Sequence, residues 1–361
     1  MSDAAAPTLA IRPGTEADRP QILARLAEVF GPEAAARAQR LWDWQWRQDP
    51  RLPVPGYRGL VAEWQGQIVA NLATIPAGLA IDGEPAEAYW CTDALVHWGL
   101  ARRAWRAQRR SPDADLSRGI AAALLDHPAA GPIQLAKHIS DPMMTIIERL
   151  GFAPLAGTGS LHRRVSVRQP IGRLVGSALG DALGAAADLA LGRLPRPELA
   201  VELWDGPFDR RFDELWERMR RLYPAIGRRD AATLQWRYRQ HPDGGYRVLT
   251  LGSRRALRGY GVFLDYDRGG RRWGKVVDLI AAPGDAQGLR VLLLGALGLM
   301  RRDRVERAEV FGSNREVYAI LTALGLAPRL AKSGRPQPLM VRRLPREALE
   351  LYATQGDGDG G

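Results

Sequence analysis

The sequence predicts a mixed α/β protein built from two tandem copies of one domain, and three observations carry that prediction. The first is a repeat. Trp44-Gln45-Trp46-Arg47-Gln48-Asp49-Pro50 returns as Trp236-Arg237-Tyr238-Arg239-Gln240-His241-Pro242, with Trp, Arg, Gln and Pro in register. The same landmarks follow each copy in the same order: a Gly-Tyr pair (Gly56-Tyr57; Gly245-Tyr246), an Asp in an apolar run (Asp93; Asp278), a polar pair (Ser140-Asp141; Ser313-Asn314) and a Leu-Gly-apolar stop (Leu150-Gly151-Phe152; Leu324-Gly325-Leu326). Ordered self-similarity of this kind means repeated structure. The second observation is length: 361 residues suit about two domains of ~150 residues each. The third is element order. Each copy reads as an antiparallel meander followed by strand, helix, strand and helix, which is not the pattern of a doubly wound parallel sheet.

The elements follow from local pattern. Thr8 to Arg12 reads as a strand, and Thr15 with Asp18 three residues later is a capping signal for a helix carrying Ile22, Leu23, Leu26, Val29 and Phe30. A second helix from about Glu33 brings Leu41, Trp42 and Trp46 into the repeated motif. Gln65-Gly66 is a hairpin turn between Gly59 to Trp64 and Gln67 to Leu72, Asp82-Gly83 turns the meander after Ala73 to Ile81, and Glu87 to His97 is the next strand. Ile133 to Ile139 is a β-run, and Met143 to Leu150 a helix stopped by Gly151. The second copy repeats this from Glu198 to Leu326. The expected organisation is a first domain over residues 8–165, a helical linker over 166–197, a second domain over 198–345 and a disordered tail over 346–361, whose Gly/Asp-rich end begins at Thr354. The apolar side of the linker reads either as a helix packed on the domains or as a membrane-surface helix.

Composition excludes several classes. An apolar share of 46% and a charged share of 25% are those of ordinary globular protein. A single cysteine, Cys91, rules out an internal disulfide framework and points to a reducing cytoplasm. Met1 to Pro7 lacks the pattern of a secretory signal, and no uncharged apolar run reaches the ~18–20 residues of a transmembrane helix. The net charge of +11 is carried by arginine, since Lys137, Lys275 and Lys332 are the sole lysines. That balance fits a phosphorylated small ligand or anionic surface as well as an Arg-rich genome. There is no basic-aromatic platform for nucleic acid, so no DNA partner is expected. Five scattered His and one Cys predict no metal site.

Ile11-Arg12-Pro13-Gly14-Thr15-Glu16-Ala17-Asp18 resembles the opening of the Gcn5-related N-acetyltransferases (GNAT), and Glu148-Arg149-Leu150-Gly151-Phe152 looks like the end of their last conserved helix. The resemblance covers about residues 8–165 and, more faintly, 198–345. It implies two GNAT-like domains, each with a central mixed sheet splayed into a V that admits an acyl-CoA co-substrate, acetyl-CoA or another acyl-CoA. Leu95 and Val96 are then expected beside the acyl-CoA. The pyrophosphate is expected at a helix N-terminus, where unpaired N–H groups and the helix dipole favour an anion. The matching stretch here is Arg118-Gly119-Ile120-Ala121, preceded by Leu116 where the family has Arg or Gln. The second copy has Gly284-Asp285-Ala286-Gln287-Gly288 at this point, without the Arg-Gly pair. The span from Asp93 to Ser140 is about a dozen residues longer than that from Asp278 to Ser313. The extra residues carry Arg102, Arg103, Arg106, Arg109 and Arg110, readable as a phosphate clamp or as a solvated helix face.

The resemblance also implies a base that takes a proton from the incoming amine. Asp93 is the candidate, with Asp278 as its copy; the alternative is an Asp bonded to nearby backbone. The family's tyrosine acid is replaced by Ile147 in the first copy and Leu321 in the second, while Tyr318 lies one turn early. The functional expectation is acyl-CoA-dependent N-acyl transfer to a small-molecule or peptide amine. The alternatives are a binding protein that has lost its chemistry and a Fem-type aminoacyl transferase. In the repeated Trp motif, one ring is expected in the core and the other either in the core or at the acceptor cleft.

Overall fold

The computed structural model describes residues 9–107, 116–190, 199–253, 255–312, 314–331 and 333–358. The first half runs β1 (Ala10–Pro13), α1 (Arg19–Phe30), α2 (Pro32–Trp46), β2 (Gly59–Trp64), β3 (Gln67–Pro76), β4 (Leu79–Ile81), β5 (Glu84–Ala86), β6 (Ala88–Val96), α3 (Trp98–Ala107), α4 (Leu116–Leu125), β7 (Ile133–Ala136), α5 (Asp141–Arg149), β8 (Ala153–Pro154) and β9 (Gly159–Arg164). Two helices, α6 (Arg168–Val175) and α7 (Ser177–Ala190), follow as a hairpin where the sequence predicts a linker helix. The second half runs β10 (Val201–Trp204), α8 (Arg210–Leu222), β11 (Ala225–Gly227), α9 (Ala231–Leu234), a π-helical turn Gln235–Arg239, β12 (Arg247–Gly252), β13 (Leu257–Asp267), β14 (Arg272–Ala281), α10 (Ala286–Arg302), β15 (Arg307–Gly312), α11 (Arg315–Ala323), β16 (Ala327–Pro328) and β17 (Met340–Arg342).

The strands form two seven-stranded sheets, ordered β1-β2-β3-β6-β7-β17-β8 and β10-β12-β13-β14-β15-β9-β16, and a three-stranded one, β11-β4-β5. All pairs are antiparallel except β6 with β7 and β14 with β15. The Gln65-Gly66 and Asp82-Gly83 turns both hold positive φ at each residue, 52° and 72°, then 49° and 80°, as tight hairpins require.

The two sheets exchange strands. β9 pairs β15 along Gly159–Arg164, and β17 pairs β7 along Met340–Arg342. The boundaries expected at 165 and 345 therefore do not follow sheet membership: residues 159–164 belong to the second sheet and 340–342 to the first. A short apolar strand presents the same pattern to either sheet, so the sequence alone does not say which open edge it covers.

The repeated motif explains how the halves meet. Trp44 and Trp236 stack on each other with ring centroids 4.4 Å apart and planes 11° apart. Each indole donates to the other's backbone, Trp44 Nε1 to Trp236 O at 3.0 Å and Trp236 Nε1 to Trp44 O at 2.9 Å. This is a self-complementary contact of the kind two-fold symmetry produces. Trp46 and Tyr238, two residues on, are buried in the separate cores of their own halves. One ring of each copy thus serves its core and the other the interface, instead of the acceptor cleft.

His241 packs edge-on against Trp44 at 4.4 Å, and its Nδ1 accepts from Asp243 N at 3.1 Å. Burial depresses its pKa to about 4, so the folded chain holds it neutral. A base whose folded pKa is depressed adds stability above its unfolded pKa, about 6.5, and loses it as pH falls towards 4. We expect ~2–3 kcal/mol of stability to be lost across that window, read from denaturant midpoints. The His241→Gln variant should show a flatter profile; an unchanged slope would remove His241 from the account.

The segment expected to be a disordered tail is instead built into the interface, which corrects that expectation. Tyr352, Thr354, Gln355 and Asp357 are buried, and residues 355–357 form a short helical turn; residues 359–361 lie outside the described ones. Asp357 accepts from Arg229 Nη2 at 2.6 Å, Thr354 N at 2.6 Å and Arg237 Nη1 at 3.3 Å. Arg229 also pairs with Asp278 at 3.2 Å, and the nearby buried Arg51 pairs with Asp49 at 2.7 Å. Three arginines and three aspartates thus balance in a buried cluster. Apart from Asp49 and Arg51, two residues apart, its charge pairs join distant stretches and had no local sequence signature.

Candidate functional site

β6 and β7 pair only from Ala88–Trp90 to Ile133–Leu135 and then part company. From that point a cavity of about 480 Å³ opens between them. It passes from one face of the first sheet to the other. Phe30 and Arg37 of the α1–α2 side line one end; Ala121, Leu124, Leu125, Met143 and Ile147 of α4 and α5 line the other. Asp93, Leu95 and Val96 form the β6 wall, and Lys137, His138 and Ser140 the wall beyond β7.

Asp93 sits at a bulge. Register slips between Asn71, opposite Leu95, and Ala73, opposite Thr92, so that Asp93 and Ala94 face the single Leu72. Asp93 has φ of 46°, a left-handed conformation that Asp and Asn tolerate better than most residues. The bulge is clamped from below: Asn71 Nδ2 donates to Asp93 O at 3.0 Å, and Tyr57 OH donates to Asn71 Oδ1 at 2.5 Å. Burial and the Asp93 charge both push the Tyr57 phenol well above its usual range, which keeps it a donor. Tyr57 belongs to the repeated Gly-Tyr pair, so a signal for it existed. Asn71 could have been found as the polar residue inside the apolar run Ile68 to Pro76.

Of the expected site residues, Asp93, Leu95, Val96 and Ala121 line the cavity. Ile120 is 1% exposed in the apolar layer beneath, and Arg118 faces solvent on the first turns of α4. Gly119 has a packing reason of its own: a Cβ there would lie 2.8 Å from the Trp105 ring. α3, the extra helix of the first copy, buries Leu100, Ala101, Ala104 and Trp105 and turns Arg102, Arg103 and Arg106 outward. Arg109 and Arg110 lie outside the described residues. Cys91 also lines the cavity, and burial pushes its thiol up to about 12, so it stays protonated. Lys137 lies over the Trp90 ring at 5.0 Å and donates to Gln355 O, which ties the C-terminal segment to the cavity wall.

The second copy is arranged differently. Asp278 is 1% exposed and bonded to Tyr260 OH at 2.9 Å, Tyr238 OH at 3.3 Å and Arg229. Asp285 caps α10 through Gly288 N at 2.9 Å and pairs with Arg258 at 2.6 Å. The copies thus share a strand plan while their aspartates do opposite things: Asp93 faces a cavity and Asp278 neutralises buried arginine. Among the described residues no group of three His, Cys, Asp or Glu is arranged to hold a metal, and no helix is long and apolar enough to cross a membrane.

No family model matches the chain, and no curated protein matches it in sequence. Solved structures do match in shape. A GCN5-related N-acetyltransferase from Anabaena variabilis aligns with a TM-score of 0.55 at 12% identity, over 92% of this chain and 72% of that one. The Saccharomyces cerevisiae N-myristoyltransferase with bound myristoyl-CoA aligns at 0.54 and 13% identity, over 95% and 85%. A tandem GNAT protein from the clavulanic acid biosynthesis pathway aligns at 0.51 and 14% identity, over 93% and 99%. With a seven-stranded mixed sheet present in two copies, this chain has the fold of these GNAT structures, the tandem one included.

Proposed function

We propose that this chain is an acyl-CoA-dependent N-acyltransferase whose first copy carries the chemistry. The observation that supports this most directly is the cavity, which opens where β6 and β7 diverge and has an aspartate bulge in its wall. Its size and largely apolar lining suit an extended acyl-thioester arm. In this reading Leu95, Val96 and Ala121 hold the acyl-CoA, and the start of α4, at Arg118 and Gly119, holds its pyrophosphate, since the N-terminal end of a helix favours an anion. A bound acyl-CoA supplies the thioester carbonyl that the acceptor amine attacks. Asp93 takes the proton from that amine, and backbone N–H groups of the cavity wall stabilise the developing oxyanion. Ile147 leaves the family's acid position apolar, so the proton for the departing thiolate comes from a lining donor such as Ser140 or His138, or from water.

Acetyl-CoA is the first donor to test, followed by longer acyl chains, with a small-molecule or peptide amine as acceptor. Isothermal titration should give saturable binding of acetyl-CoA or a longer acyl-CoA to the intact chain. The Ala121→Trp variant, which fills the cavity, should bind at least about tenfold more weakly. Absence of heat with any acyl-CoA at millimolar concentration would defeat the proposal. Ile147 favours one competing reading, a GNAT-fold binding protein without turnover. It predicts acyl-CoA binding with no release of CoA thiol in the presence of amines.

A further inference from the structure

The hairpin of α6 and α7 is firmly rooted yet leaves its apolar side uncovered. At its base Asp188 is 3% exposed and accepts from Ser166 Oγ at 2.9 Å, Val167 N at 2.7 Å and Arg168 Nε at 3.2 Å. Gly184 lets the two helices touch, since a Cβ there would lie 2.6 Å from Arg168 Cα. Arg301 donates to Asp188 O, and Arg173 pairs with Glu306, which fixes the hairpin to the second half. Against this anchoring, Leu174 is 85% exposed, Leu179 55%, Leu183 47% and Val175 43%. Four large apolar side chains around one turn and along one helix form a patch that a soluble surface rarely tolerates without a partner.

The surroundings of the patch are basic. Arg173 Nη1 donates to Gly270 O at 3.0 Å, which brings the β13–β14 turn with exposed Arg268 and Arg271 against the tip of the hairpin. The Arg301 contact sets the end of α10, with exposed Arg302 and Arg304, against the base of the hairpin. Among the described side chains nearby, Glu306 is engaged by Arg173, Asp265 by Arg247 and Arg272, Asp303 by Arg247 and Arg302, and Asp267 by the Gly270 N–H of its own turn. Two copies meeting through this patch would set arginine against arginine. An anionic bilayer meets both demands, taking the leucines at its acyl boundary and the arginines at its headgroups.

We propose that the α6–α7 hairpin docks the protein on an anionic membrane surface, with Leu174, Val175, Leu179 and Leu183 inserted and the flanking arginines on the headgroups. The docking is interfacial and adds a membrane partner to the acyl-transfer reading without depending on it.

Co-sedimentation of the full chain with vesicles tests this. Vesicles of phosphatidylglycerol and phosphatidylcholine should bind the protein, and pure phosphatidylcholine should bind it at least about tenfold more weakly. The Leu174→Asp/Leu179→Asp and Arg268→Gln/Arg271→Gln variants should each lose about tenfold or more on the anionic vesicles while keeping the native thermal melt. These four side chains face solvent, so folding is not at stake. No binding to anionic vesicles would overturn the proposal. So would a native dimer that the leucine variant turns into a monomer by light scattering, since a second copy would then cover the patch.

Discussion

Replacing Asp357 by Ala will lower the stability of the chain by about 3–5 kcal/mol, the range found when one partner of a buried ion pair is removed. Asp357 is 1% exposed and is the shared acceptor of Arg229 and Arg237, themselves 1% and 3% exposed. Arg229 retains Asp278 after the change, whereas Arg237 loses its carboxylate and the cluster keeps one uncompensated positive charge. Desolvation alone would raise the Asp357 pKa; the two guanidiniums outweigh it and hold the carboxyl below its usual value. A depressed folded pKa gives a contribution that is complete above the unfolded value, near 4, and lost as pH falls through the folded one. The gap between wild type and variant, measured by denaturant unfolding, should therefore be full at pH 7 and narrow below about pH 4. Adding Arg237→Met should recover part of the loss, because it removes the stranded charge. A single variant within ~0.5 kcal/mol of wild type would show that the C-terminal segment is an ornament on the interface.

The sequence made the repeat, the element order and the hairpin turns legible because these depend on local pattern. Gln65-Gly66, Asp82-Gly83 and the strand-like run from Gln67 to Leu72 act over a few residues, and the structure turns and pairs there as expected. What it hid are decisions made between distant stretches. β9 and β17 carry no mark of which sheet they complete, since pairing depends on which open edge is nearest when the halves dock. Composition pointed to disorder after Thr354, because Gly and Asp disfavour a core; yet Asp357 is retained by Arg229 and Arg237, and no local window contains that pairing. The same holds at the cavity. Asp93 could be singled out as an acid in an apolar strand, while its bulge and the Tyr57–Asn71 clamp beneath it belong to pairing across strands.

Replacing Asp93 by Asn should lower kcat/KM for acyl transfer by about 10²–10⁴-fold, the usual span for a general base, and leave acyl-CoA affinity nearly unchanged. Asn suits the left-handed backbone at φ 46° as well as Asp does, so the bulge and its bond from Asn71 survive and only the carboxylate is lost. The test is the initial rate of CoA thiol release from acetyl-CoA with a panel of primary amines, taking the amine that wild type turns over fastest. The deficit should shrink as pH approaches the pKa of that amine, because an amine already deprotonated no longer needs the base. This pH dependence separates a chemical role from a structural one, since a misshapen cavity would be equally poor at every pH. The parallel substitution Asp278→Asn should act on stability instead of rate, because that carboxylate is spent on Arg229, Tyr238 and Tyr260. Equal rates for wild type and Asp93→Asn would assign the aspartate to the backbone bulge alone and leave proton removal to water.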